Sequence, residues 1–130
     1  FAVQIFDYIH SVDSEKLAKK IAVESKKLNK KIKIFIQVNI GDEEQKSGIN
    51  KNQLDQFVFY SKEIGLNVIG LMCIPPANID TEVHFEEMNK LNKTLGFTEL
   101  SMGMSSDFDI AVKHSSTYVR VGSSIFGKRF

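Results

Sequence analysis

Apolar residues in this chain recur with two alternating periods. The clearest stretch runs from Ile32 to Ile40. There Ile32, Ile34, Ile36, Val38 and Ile40 alternate with Lys33, Phe35, Gln37 and Asn39. A period of two predicts a strand with one aliphatic face beneath helices and a second face that turns polar towards its C-terminal end. Gln37 and Asn39 on that second face are read as structural hydrogen-bond partners. Before it, Phe6 to Val12 suits a short buried strand. Asp13 and Ser14 then offer caps for a helix to Asn29, lined by Leu17, Ala18, Ile21, Ala22 and Leu28 at helical spacing.

After a polar loop from Gly41 to Gly48, Asn50 and Gln53 are spaced as a capping box. The helix they open carries Leu54, Phe57, Val58 and Ile64 and closes at Gly65. Val68 to Ile74 is continuously apolar, as a strand buried on both faces would be, and Pro75 and Pro76 stop it. A further helix starts at Asp80 or Thr81, with Phe85, Met88, Leu91 and Leu95 on its apolar face, and ends at Gly96. Glu99 to Gly103 is again a strand. Ser106 and Asp109 are spaced as a capping box for a helix through Phe108, Ala111 and Val112, with Asp107 and Asp109 balancing its dipole. Thr117 to Val121 is the last strand, followed by a short final helix. Its period of two sets Val119 and Val121 towards the helices and Tyr118 and Arg120 towards the opposite, ligand-facing side.

Strand and helix thus alternate five times, which implies a parallel sheet with right-handed crossovers. Such a sheet is either a small open one or part of a (β/α)8 barrel, and both place ligands at the C-terminal ends of the strands. Two strand ends here run straight into small residues: Gly103-Met104-Ser105-Ser106, and Gly122-Ser123-Ser124. Bare backbone N–H groups, hydroxyls and a helix N-terminus make a cradle for a phosphorylated ligand. A phosphate site after the last two strands is a barrel habit and favours the barrel.

Composition narrows the classes. The 130 residues carry 17 basic and 16 acidic side chains, a balance that argues against nucleic acid as partner. Lys26, Lys27, Lys30, Lys31 and Lys33 cluster, but as a solvated helix end and strand start. No apolar run is long enough to span a bilayer, which points away from a membrane. The single cysteine, Cys73, rules out an internal disulfide and fits a reducing cytoplasm; its apolar neighbours mark a buried, inert thiol. His10, His84 and His114 show no metal spacing, and His84 with Glu87, one helical turn apart, reads as a surface contact.

Six blocks in order resemble the pyridoxal 5′-phosphate (PLP) homeostasis protein family, single-domain relatives of the alanine racemase N-terminal barrel. They are His10-Ser11-Val12-Asp13, Ile36-Gln37-Val38-Asn39-Ile40, Lys46-Ser47-Gly48-Ile49, Gly70-Leu71-Met72-Cys73-Ile74-Pro75, Leu100-Ser101-Met102-Gly103-Met104-Ser105 with Asp107, and Val119-Arg120-Val121-Gly122-Ser123 with Ile125-Phe126-Gly127. The resemblance implies a PLP-binding (β/α)8 barrel of which residues 1–130 are the C-terminal part, the last five βα units. It implies PLP as cofactor, with Ser105, Gly122 and Ser123 on the phosphate and Arg120 at the pyridine nitrogen. A guanidinium does not give up its proton, so it donates to that nitrogen and keeps it unprotonated, which weakens the ring as an electron sink.

The implied function is PLP binding and homeostasis, a carrier and buffer without established turnover, with apo PLP-dependent enzymes as clients. The alternative is a PLP-dependent, racemase-like enzyme, whose second acid/base is usually a tyrosine from an additional β domain. A cofactor-free barrel for a sugar phosphate or a protein partner is the third reading, and Arg120 discriminates it. The family's Schiff-base lysine, at the end of the first barrel strand, has no counterpart among these residues, and a full barrel needs about 250 residues. The expectation is therefore a fragment with half a phosphate site, two bare strand edges and an exposed stretch of barrel interior. Lys46 is expected to be a plain exposed loop lysine.

Overall fold

The computed structural model describes residues 8–41, 47–75, 81–104 and 107–120, with residue 120 described in its backbone alone. Five strands and four helices alternate. They are β1 (Tyr8–Val12), α1 (Glu15–Lys27), β2 (Lys33–Gln37), α2 (Leu54–Glu63), β3 (Asn67–Met72), α3 (Thr81–Thr94), β4 (Glu99–Met104), α4 (Phe108–Lys113) and β5 (Tyr118–Arg120). All four strand pairings are parallel, and the spatial order β1-β2-β3-β4-β5 repeats the order in sequence. A sheet wound in one direction through right-handed crossovers collects its helices on one face.

The sheet is curled. Four strand spacings would hold β1 and β5 about 19 Å apart if it were flat. Instead the rings of Tyr8 and Tyr118, on these two outermost strands, have centroids 5.8 Å apart. The fold is a sector of a (β/α)8 barrel, as expected.

On the helix side, Val12, Ile34, Ile36, Val38, Leu71, Leu100 and Met102 meet Ala18, Ile21, Leu54, Phe57, Phe85, Met88 and Ala111 in one buried cluster. The aliphatic run from Ile32 to Ile40 faces this layer. Strand β2 ends at Gln37, but the Val38 N–H still donates to the Met72 carbonyl at 2.8 Å, and Val38 also forms a parallel bridge to the returning loop at Ile49. Cys73 is fully buried. Among the described residues no helix is long and apolar enough to cross a membrane.

Some caps differ from expectation. Ser14 caps α1 as predicted, its Oγ accepting from the Leu17 N–H at 3.1 Å. Asn50 makes no side-chain cap bond; residues Lys51–Gln53 form a 3-10 turn that starts α2 three residues later. The spacing of a capping box was present, but the tighter turn satisfies the first amides through backbone bonds, with the Gln53 N–H donating to the Asn50 carbonyl at 2.9 Å.

On the concave face Phe35, Gln37, Met72 and Ser101 are buried where exposed interior was expected, while Tyr8 at its N-terminal end stays exposed. Ile34 pairs with Val68 and Phe35 with Gly70, which leaves Ile69 as an extra residue, a bulge in β3. Beside that bulge the buried Asn92 of α3 accepts from the Leu71 N–H at 3.0 Å and donates to the Glu99 carbonyl at 2.8 Å. Gly70 is obligatory at this point, since a Cβ would lie 1.9 Å from the Glu99 carbonyl oxygen.

Candidate functional site

Parallel strands bring all their C-terminal ends to one rim, and at this rim the last described residues of β4 and β5 are neighbours. Ser101 pairs with Tyr118 and Met104 with Arg120, so the residues just before each turn lie side by side. A register shift separates the two pairs, and side-chain hydroxyls stitch across it. Ser116 Oγ donates to the Met102 carbonyl at 2.6 Å, and Thr117 Oγ1 accepts from the Leu100 N–H at 2.8 Å. Asp107 N-caps α4 in position, yet its Oδ1 accepts from the Met104 N–H at 2.7 Å and makes no bond into the helix. The carboxylate is spent on the turn itself, a structural role. Ser105, Ser106, Gly122, Ser123, Lys46 and the segment expected to form the final helix lie outside the described residues, as does the side chain of Arg120.

A second part of the rim belongs to β1 and β2. Asp13 Oδ2, just past β1, accepts from the Gly48 N–H at 3.0 Å. The Asn39 N–H donates to the Ile49 carbonyl at 3.0 Å, and the Ile49 N–H to the Gln37 carbonyl at 2.8 Å. Gly48 has φ +118°, and a Cβ there would stand 2.6 Å from the Asn39 nitrogen. The loop block Ser47-Gly48-Ile49 is thus drawn back onto the sheet by backbone contacts that only glycine permits. Gln37 and Asn39 are buried at this edge, in keeping with a structural role.

Beneath the rim lies a cluster that the pattern of the sequence did not bring out. His10 Nδ1 lies 2.8 Å from Ser101 Oγ, across 91 residues of chain. Its ring centroid is 4.3 Å from that of Phe35 and 5.3 Å from Tyr118, the latter edge-on. Phe35 and Tyr118 also meet edge to face at 5.2 Å. The one available signal was parity, since Tyr8 with His10, Lys33 with Phe35, and Tyr118 each fall on the face opposite the aliphatic one. Parity cannot say that strands four positions apart will touch.

At the N-terminal mouth of this face Tyr8 hydrogen-bonds Tyr118. That bond, followed by the Lys33 ammonium 3.4 Å from the Tyr8 hydroxyl, lowers the Tyr8 phenol below its ordinary value. The same bond raises Tyr118, which gives up its acceptor if it ionises. Lys33 is the only lysine on a described strand, and it stands at the N-terminal end of β2, away from the rim. Two concavities among the described residues lie at this end too. One is lined by Tyr8, Lys33, Glu99 and Tyr118 and another by Lys26, Lys30, Lys31 and Lys62. Barrels of this kind bind ligands at the C-terminal ends of their strands, the opposite rim.

The expected contact between His84 and Glu87 is absent. Glu87 instead pairs with Lys51 at 3.1 Å, and both buried ring nitrogens of His84 lack a hydrogen-bond partner. His114 reaches Glu82 at 3.2 Å, tying the end of α4 to the start of α3.

Residues 2–129 match the family described as alanine racemase, N-terminal domain. A pyridoxal phosphate homeostasis protein of Aquifex aeolicus is 36% identical over 131 residues, which cover 93% of this chain and 58% of that protein. A protein of the same name from Vibrio alginolyticus is 36% identical over 134 residues, 95% of this chain and 57% of that one. The chain thus spans just under three fifths of the length of these curated relatives. The structure of PipY from Synechococcus elongatus PCC7942 with PLP bound superposes with a TM-score of 0.87 at 32% identity, covering 97% of this chain and 63% of PipY. With a parallel, singly wound and curled sheet to accompany a match along almost its whole length, the chain belongs to the alanine racemase N-terminal domain family.

Proposed function

We propose that this chain supplies the phosphate and pyridine side of a PLP site, in a protein that binds, carries and buffers PLP. The observation that carries the reading is the pairing of Met104 with Arg120. It sets the roots of the two small-residue turns next to each other at the rim where barrels of this class bind. The similarity to PipY, solved with PLP bound, supports it. In this reading Ser105, Gly122 and Ser123 hold the phosphate through hydroxyl and backbone N–H donors. Arg120, two residues beyond Tyr118 on the same strand, donates to the pyridine nitrogen and keeps it unprotonated.

Beneath the rim the rings of His10, Phe35 and Tyr118 pack against one another, and this aromatic floor supports the strands that carry the rim. PLP itself brings an aldehyde and an electron-withdrawing ring, and this chain's part is to orient it. No described strand places a lysine at the rim. The residues are accordingly read as the last five βα units of a longer barrel whose other strands carry the aldehyde's anchor. The proposed role is carriage without turnover, with apo PLP-dependent enzymes as clients.

The test is PLP retention by the full natural chain, read from the absorbance of protein-bound PLP after gel filtration. Arg120→Ala and Ser123→Ala are each expected to weaken retention by on the order of tenfold or more, since each removes a hydrogen bond to the ligand. Retention unchanged in both variants would sink the assignment. Transfer of bound PLP to an apo PLP-dependent enzyme, without conversion of L-alanine to its mirror image, separates a carrier from a racemase.

A further inference from the structure

We propose that His10 is a positioning residue for the ligand end: its bridge across the concave face holds β5, and with it Arg120, at the place the ligand requires. The inference rests on the PLP reading for its second half only. Its first half is a statement about where β5 is held.

Three observations combine. β1 and β5 are the outermost strands of the described sheet, with three strands between them. Their side chains nevertheless meet, His10 with Tyr118 at 5.3 Å and Tyr8 with Tyr118 at 5.8 Å. His10 also hydrogen-bonds Ser101 of β4, and Ser101 is the residue that pairs with Tyr118. One imidazole therefore contacts both members of the β4–β5 pair that lies one step below Met104 and Arg120. β5 draws on such support because its register with β4 shifts between the two pairs. A strand whose pairing is interrupted is free to shift against its neighbour unless side chains fix it.

The chemistry of the contact is specific to an imidazole. The ring supplies a flat face to Phe35, at 4.3 Å and tilted by 34°, and an edge to Tyr118. Its Nδ1 simultaneously engages a hydroxyl. Phenylalanine keeps the ring contacts and loses the hydrogen bond, while glutamine keeps a hydrogen-bonding group and loses the ring. The two halves can thus be removed separately.

The experiment uses the full natural chain with His10→Phe, His10→Gln and the helix-layer control Val58→Ala. Hydrogen exchange of the Tyr118–Arg120 amides is followed without ligand. PLP affinity and the induced circular dichroism of the PLP band are then measured, together with melting temperature. Both His10 variants are expected to speed exchange in β5 more than in β2 or β3. They are also expected to weaken PLP by on the order of tenfold and to alter the sign or shape of the induced band. Val58→Ala should lower the melting temperature and leave affinity and band shape unchanged. Unaltered β5 exchange in both His10 variants would overturn the bridge. If β5 loosens while PLP affinity and band stay as in the parent, the positioning role is overturned and the bridge is merely structural. Should the parent itself fail to bind PLP, the cofactor reading falls, and β5 exchange still decides whether the bridge holds the strand.

Discussion

Asn92 is the side chain whose removal should damage this fold most for its size. It is buried in α3, with Oδ1 accepting from the Leu71 N–H at 3.0 Å and Nδ2 donating to the Glu99 carbonyl at 2.8 Å; a third contact, to the Phe97 carbonyl, is long at 3.5 Å. It sits beside the bulge at Ile69, where the β2–β3 register slips and the β3–β4 ladder begins with Gly70 and Glu99. Asn92→Ala leaves a donor and an acceptor of the backbone buried without partners. Each such group costs about 1–3 kcal/mol, and alanine's better helix propensity returns about 0.5 kcal/mol. The net loss should be about 2–5 kcal/mol, a large share of the roughly 5–15 kcal/mol that holds a domain of this kind together.

Urea unfolding followed by far-ultraviolet circular dichroism measures this directly, with an unchanged slope showing that the denatured state is the same. Asn92→Asp refines the test. At neutral pH its second carboxylate oxygen faces the Glu99 carbonyl and repels it, whereas the protonated carboxyl can donate. The folded-state pKa of the introduced group is thereby raised, so the variant should recover stability as pH falls through that value and fully so below the ordinary carboxyl pKa. An Asn92→Ala protein within about 1 kcal/mol of the parent would show that water or backbone adjustment satisfies both groups, and the reasoning would fail.

Gly70→Ala should cost about 3 kcal/mol, because its Cβ would stand 1.9 Å from the Glu99 oxygen and force β3 and β4 apart; a melt matching the parent's would disprove the close approach. Gly48→Ala and Asp13→Ala should both free the Ser47–Ile49 segment from the rim, the first by a clash 2.6 Å from the Asn39 nitrogen and the second by loss of the Gly48 N–H acceptor. Faster exchange of the Gly48 and Ile49 amides is the readout, and unchanged exchange in both refutes the clasp. In an ultraviolet titration of the phenols Tyr8 should ionise below its ordinary value and Tyr118 above it. Stability should therefore rise as pH climbs to the ordinary tyrosine range, where the unfolded Tyr8 still holds its proton, and fall beyond it, where the folded Tyr118 still holds its own. Tyr118→Phe removes the main cause and should return Tyr8 towards its ordinary value; an unmoved Tyr8 would shift the credit to Lys33.

Periodicity carried the fold because burial on a single face is a local property. The aliphatic residues at Ile34, Ile36 and Val38 had to face helices wherever the chain went, and Gly65 and Gly96, at φ +92° and +81°, had to end theirs. Alternation of strand and helix fixed a parallel sheet. The capping box at Asn50 and the pairing of His84 with Glu87 were read from spacing and did not form. Spacing offers a partner, and competing partners, the 3-10 backbone bonds and Lys51, took the groups instead.

What the sequence by itself determined, then, was the alternation of strand and helix along the described residues and which face of the β2 strand is aliphatic. Only the tertiary structure decided the curl, and with it the meeting of His10, Phe35, Ser101 and Tyr118. Sheet curvature arises from the twist and register of all strands together, so it has no signature within any one of them. Contacts made across 91 residues, and a bulge that one buried amide must mend, exist only once the strands are side by side.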